Sequence, residues 1–126
     1  MRMIKPTKLN RFFYWMFFKI YLLLCGVPLG TYIQNFRHTH IGKYVLIAPG
    51  VSIISRNHNK YDPLIYDEWS DVIIGDNCWI GSNVTILPGV CLGAYTVVGA
   101  GSVVTHSFPH GKCLIIGSPA RIIEKW

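Results

Sequence analysis

The feature that most constrains this chain is a period of six. Aliphatic side chains recur at Ile41, Ile47 and Ile53, and after an interruption at Ile74, Ile80, Ile86, Leu92, Val98 and Val104. The residue after each is usually small (Gly42, Ala48, Gly75, Gly81, Gly93, Gly99), with Ile54, Leu87 and Thr105 as exceptions. The fifth position is small or β-branched, at Val45, Val51, Cys78, Val84, Val90, Thr96 and Ser102. Turn formers stand between, such as Pro49-Gly50, Asp76-Asn77, Ser82-Asn83, Pro88-Gly89 and Ala100-Gly101. An amphipathic strand repeats every two residues and a helix every 3.6, so neither explains the pattern. Six residues make one short strand plus one corner, and three such units close a triangular coil. Coils stacked at a rise of about 4.8 Å pair their backbones. The aliphatics then form ladders inside a prism, and their small neighbours fit where the walls meet. The pattern predicts an all-β parallel β-helix over residues 37–126 with a tail at 110–126. Its hand does not follow from the period, because most parallel crossovers are right-handed.

Residues 1–36 read differently. From Phe12 to Leu29 runs an apolar stretch rich in aromatics, interrupted by Lys19 and ended by Pro28 and Gly30. A short N-terminal helix is expected. Lys8, Arg11, Trp15 and Lys19 fall on one side of it, a basic stripe against an aromatic face. Such a helix can lie on a membrane surface through residues 8–29 or pack against the body of the protein. A spanning helix needs about 20 apolar residues, which this run barely supplies.

The 126 residues suit one domain, and 51% hydrophobic against 14% charged residues excludes a disordered chain. So apolar a composition suits surface hidden in an oligomer or at a membrane. The charge is lopsided: nine basic residues precede Asp62, and from there on three basic residues face all six acidic ones, for a net +6. A basic first half favours an anionic membrane or a nucleotide-bearing cofactor. Nucleic acid is not expected, since the cations are dispersed and no recognition motif accompanies them. Cys25, Cys78, Cys91 and Cys113 show neither CxxC pairing nor disulfide-like density.

Ile74-Gly75-Asp76-Asn77-Cys78-Trp79-Ile80-Gly81, Ile86-Leu87-Pro88-Gly89-Val90, Val98-Gly99-Ala100-Gly101-Ser102-Val103-Val104-Thr105 and Gly117-Ser118-Pro119-Ala120-Arg121-Ile122-Ile123 resemble the hexapeptide-repeat acyltransferases. The likeness is nearest to the maltose and galactoside O-acetyltransferases, and within them to short members that acetylate bacterial surface polysaccharides. It covers about Ile41 to Trp126 and implies a left-handed β-helix, a homotrimer, and cytoplasmic acetyl-CoA-dependent transfer to a sugar or glycan-precursor hydroxyl, with no metal. Serine, an amino sugar or a xenobiotic as acceptor, and a non-catalytic scaffold, remain alternatives. A zinc site on this fold needs three converging histidines, whereas His58 stands alone within the hexads.

The repeat breaks after His58, and residues 59–73 form an ejected loop, a feature that is commonly functional. Arg56-Asn57-His58-Asn59-Lys60-Tyr61-Asp62-Pro63 resembles the segment holding the family's catalytic base, which implies that role for His58. A sugar hydroxyl is a poor nucleophile at neutral pH, and an imidazole can take its proton as the oxygen attacks a thioester. Asn57, Tyr61 and Asp62 are the acceptor-side candidates. Asp62 is placed to orient His58 or to grip a hydroxyl, and Tyr61, Tyr66 and Trp69 to stack on a sugar. By the same resemblance, Trp79, Gly81, Ser82, Gly99, Ala100, Thr105 and Arg121 match residues beside acetyl-CoA. His106 and Glu124 stand where relatives carry basic residues, with Lys112 as a compensating cation.

Overall fold

The computed structural model describes residue 28 and residues 30–126. The expected N-terminal helix and its membrane contact fall outside them. Among the described residues no helix is long and apolar enough to cross a membrane. The strands are β1 (Tyr32–Ile33), β2 (Thr39–Ile41), β3 (Leu46–Ile47), β4 (Ser52–Ile53), β5 (Val72–Ile74), β6 (Trp79–Ile80), β7 (Thr85–Ile86), β8 (Cys91–Leu92), β9 (Thr96–Val98), β10 (Val103–Val104), β11 (Cys113–Gly117) and β12 (Ala120–Lys125). A 3-10 turn at Phe36–His38 precedes β2. They build the three walls of a left-handed parallel β-helix. Wall A runs β1-β4-β7-β10, wall B β2-β5-β8, and wall C β3-β6-β9-β11-β12.

Register turns the six-residue period into ladders. Ile41, Ile74 and Leu92 align on wall B. Ile47, Ile80, Val98 and Ile115 align on wall C. Ile33, Ile53, Ile86 and Val104 align on wall A. In β5 the side chains of Val72 and Ile74 turn inward and are buried, while Ile73 between them turns outward and is exposed. Burying each fully enclosed ladder aliphatic, such as Ile53, Ile80 or Ile86, contributes about 1.5–3 kcal/mol. Where the fifth position is polar, the cost is met locally: the Thr96 and Ser102 hydroxyls each donate to a carbonyl three residues back, of Gly93 and Gly99, at 2.7 Å.

The small second position has a geometric cause. A Cβ on Gly75 would lie 2.6 Å from the Ala94 nitrogen, and one on Gly81 2.7 Å from the Ala100 nitrogen. The next coil occupies that space, so these glycines serve coil stacking. The residue closing each corner is left-handed, with φ of 57° at Asn77 and Asn83 and 79° at Gly50 and Gly89, which is why Asn and Gly recur there.

Both ends depart from the period. The prism begins before residue 37, because β1 already pairs with β4. At the far end a fourth coil forms on irregular spacing. Phe108 bridges to Leu92 two residues short of the three-hexad step, and Ile115 pairs with Val98 one residue short. The chain then reverses, and β12 closes the wall as an antiparallel strand.

Candidate active site

The interruption leaves the prism at the corner between walls A and B. Its neck is closed by the Ser70 amide donating to the Ser55 carbonyl at 2.8 Å, so the ladders resume in register. The loop is an ordered hairpin. His58 and Tyr66 form an antiparallel bridge, flanked by bonds from the Asn59 amide to Ile65 and from the Asp67 amide to Asn57. At its tip the Asn59 side chain accepts from the Tyr61 and Asp62 amides, and the Asp62 carboxylate accepts from the Leu64 amide.

His58 is exposed, and its Nδ1 lies 2.6 Å from the Pro63 carbonyl. A carbonyl only accepts, so Nδ1 carries the proton and Nε2 presents a lone pair. The orienting partner is therefore the backbone at Pro63; Asp62, a candidate for that role on sequence grounds, is turned to Leu64 instead. The imidazole also packs on Tyr66, with ring centroids 4.3 Å apart. The Arg56 guanidinium lies over Tyr66 at 4.6 Å and over Trp69 at 4.9 Å. Trp69 stacks on His38 at 4.9 Å, and Asp71 accepts from His38 at 2.6 Å and from His40 at 2.8 Å. One chain of contacts thus ties the candidate base to the 3-10 turn and β2. Asn57 is exposed, as is Tyr61, the latter with Lys60 4.8 Å from its ring. Among the described residues no group of three or more His, Cys, Asp or Glu is placed to hold a metal ion.

A groove of about 310 Å³ runs along wall C to the corner between walls C and A. It is lined by Trp79, Gly81, Ser82, Gly99 and Ala100, five of the donor-side candidates, with Ala48, Val97 and Leu114. The Ser82 and Ala100 amides, each first in its turn, have no acceptor among the described residues. Arg121 sits just past this corner in β12, opposite Ile116. Thr105 is elsewhere: it follows β10 on the A–B corner, the corner of the His58 loop, and meets His106 at 2.6 Å. Lys112 is on the third corner, in a separate cavity of about 370 Å³ with His110, Lys125 and Trp126. The structure thus divides the candidates between two corners and leaves Lys112 apart from both.

A family profile described as bacterial transferase hexapeptide (six repeats) matches residues 71–106. WbbJ of Escherichia coli (strain K12), named as an O-acetyl transferase of lipopolysaccharide biosynthesis, is 39% identical over 108 residues, covering 76% of this chain and 55% of the relative. Among solved structures, a maltose O-acetyltransferase from Clostridium difficile 630 superposes with a TM-score of 0.66 at 30% identity, over 77% of this chain and 64% of that one. A hexapeptide-repeat acetyltransferase from Vibrio cholerae O1 biovar eltor, complexed with acetyl-CoA, does so with a TM-score of 0.66 at 27% identity, over 75% and 64%. The chain carries a hexapeptide-repeat domain of the bacterial transferase type at residues 71–106. It spans about half the length of the curated relatives it matches.

In this hexapeptide-repeat protein the hydrogen bonds from His38 and His40 hold the Asp71 carboxyl below its ordinary 3.8. A depressed carboxyl contributes to the native loop above its ordinary value, and the contribution is lost as pH falls through the lowered one. The Asn59, Asp67 and Ser70 amides are therefore expected to exchange faster, after correction for intrinsic rates, as pH falls below the ordinary carboxyl value of 3.8 and through the lowered one. Asp71→Asn removes that acid-dependent step, and hydrogen exchange on the two proteins checks it.

Proposed function

We propose that the chain is an acetyl-CoA-dependent O-acetyltransferase acting on a hydroxyl of a sugar or polysaccharide precursor, with His58 as general base in a direct transfer. The observation that carries this reading is the Nδ1 proton of His58 held on the Pro63 carbonyl, which leaves Nε2 free to accept. Nε2 takes the hydroxyl proton as the oxygen attacks the thioester carbonyl. The carbon–sulfur bond then breaks, and the imidazolium returns the proton to the departing thiolate, so no covalent enzyme intermediate is required. The unpaired Ser82 amide is suited to the oxyanion formed on the way. The groove fits the donor's pantetheine arm, a slim chain of methylenes and amides, through its apolar wall and the two free amides at Ser82 and Ala100. Such a donor implies a cytoplasmic setting.

His58 and this groove are on different corners of one prism. His58 and Thr105 share the A–B corner, whereas Trp79, Ser82, Ala100 and Arg121 gather toward the C–A corner. A ring of three copies sets one corner against the other at each seam, and closes without leaving a free half-site. We therefore infer a homotrimer with shared sites. Mixing two inactive variants tests it. His58→Ala and Ala100→Arg are each expected to be inactive alone, the second because it blocks the groove. Mixed oligomers recover thiol release from acetyl-CoA in the presence of a sugar acceptor. Mixtures that stay silent, beside an active wild type, contradict shared sites.

A further inference from the structure

Arg56 is not needed by the chemistry just described, yet it is held unusually firmly beside it. Its Nε donates to the Asp67 carbonyl at 2.7 Å, and its guanidinium carbon packs against both Tyr66 and Trp69. The side chain is half-buried, and its terminal Nη groups have no partner among the described residues. No carboxylate pairs with it, since both ion pairs among those residues use Asp71. The Asp67 carboxylate instead accepts from the Asn59 side-chain amide through one oxygen. His58 packs on the same Tyr66 ring, so the imidazole at 4.3 Å and the guanidinium carbon at 4.6 Å both border one aromatic centre.

A fixed, planar cation with an open fork and no counter-ion is a receptor for an oxyanion. Two parallel N–H bonds match a carboxylate or a phosphate, and stacking on aromatic rings removes most of the ordering cost of an arginine. We propose that Arg56 reads a carboxylate or phosphate on the acceptor, so that the sugar presented to His58 is an anionic one. This deepens the acetyltransferase reading and rests on it. Arg56 is a specificity residue: it grips the acceptor and holds its hydroxyl in place, while the proton moves through His58.

The test compares glucose, glucuronate and glucose 1-phosphate as acceptors for the full chain, with thiol release from acetyl-CoA as readout. The wild type is expected to favour at least one anionic sugar over glucose by about 10- to 100-fold in kcat/KM. Whichever of the two wins tells carboxylate from phosphate. Arg56→Gln closes that gap through the acceptor KM and leaves the acetyl-CoA KM unchanged, and Arg56→Lys, which keeps the charge but not the fork, keeps part of it. Equal use of the three sugars, an equal loss on all three in the Gln variant, or a raised acetyl-CoA KM overturns the proposal. If no sugar is acetylated, the acetyltransferase reading is what fails for these acceptors, and ligand-detected NMR decides on Arg56 separately. Saturable binding of glucuronate or glucose 1-phosphate that is lost in Arg56→Gln supports the anion site; binding indifferent to Arg56, or none, overturns it. Unfolding midpoints of both variants establish that they are folded, and Arg56→Lys carries the comparison should the Gln variant not be.

Discussion

Replacing His58 with alanine is expected to lower kcat for acetyl transfer by about 10²- to 10⁴-fold, the range that a positioned general base supplies. The alcohol is almost wholly protonated at neutral pH, so without an acceptor at Nε2 it must attack as the neutral hydroxyl. Acetyl-CoA affinity should change by less than about twofold, because the groove on wall C includes no residue of the loop. Steady-state kinetics beside a binding titration separate the two effects. The same reasoning distinguishes Tyr66 from His58. Tyr66→Phe keeps the ring on which the imidazole packs and should act as wild type. Tyr66→Ala should lose rate while the donor still binds.

The largest expected loss of stability comes from Ile80. It is fully buried in the middle of wall C's ladder, between Ile47 and Val98. Truncation to alanine leaves a cavity whose walls are the neighbouring rungs. Those rungs are fixed by backbone pairing on both sides and cannot collapse inward, so Ile80→Ala should cost about 2–5 kcal/mol. Leu64 is the matched control. It is just as apolar but 89% exposed on the loop tip, and Leu64→Ala should fall within about 0.5 kcal/mol of wild type. Urea midpoints at one fixed protein concentration give the comparison, since the stability of the proposed trimer depends on concentration.

These predictions come from parts of the molecule that were unequally legible in the sequence. The ladders from Ile41 to Val104 could be read residue by residue, because a stacked coil imposes the same burial at every sixth position and the chain repeats its answer. The fourth coil could not. Phe108 and Ile115 arrive early, where continuing the count of six beyond Val104 leads to His110 and Ile116 instead. A corner of altered length moves the register with no local signal beyond the aromatic and the β-branched residue themselves. The groove residues Trp79, Gly81, Ser82, Gly99 and Ala100 were named through the family resemblance, and the period explains why they fall on successive coils at one corner.

The loop was legible as a place but not as a structure. That His58 stands where the solenoid is interrupted follows from counting hexads. That the Pro63 carbonyl holds its ring, and that Arg56 is sandwiched by Tyr66 and Trp69, depends on how a hairpin folds back on itself, and no period governs that. The pairing of His38 and His40 with Asp71 joins residues more than thirty positions apart. It was missed because the two histidines precede the regular hexads. A signal did exist: Thr39 to Ile41 pairs with Val72 to Ile74, so residues just before β2 must meet those just before β5.

The most direct test of the central claim, that this short prism carries an acetyl-CoA-dependent transfer site, is a calorimetric titration of the purified protein with acetyl-CoA beside its His58→Ala variant. Donor binding can be measured without knowing the acceptor. Saturable binding at one site per chain is expected, retained in the variant, with a heat that vanishes when the groove is blocked by Ala100→Arg. A folded, oligomeric protein that takes up no acetyl-CoA would contradict it and leave the groove on wall C without its donor.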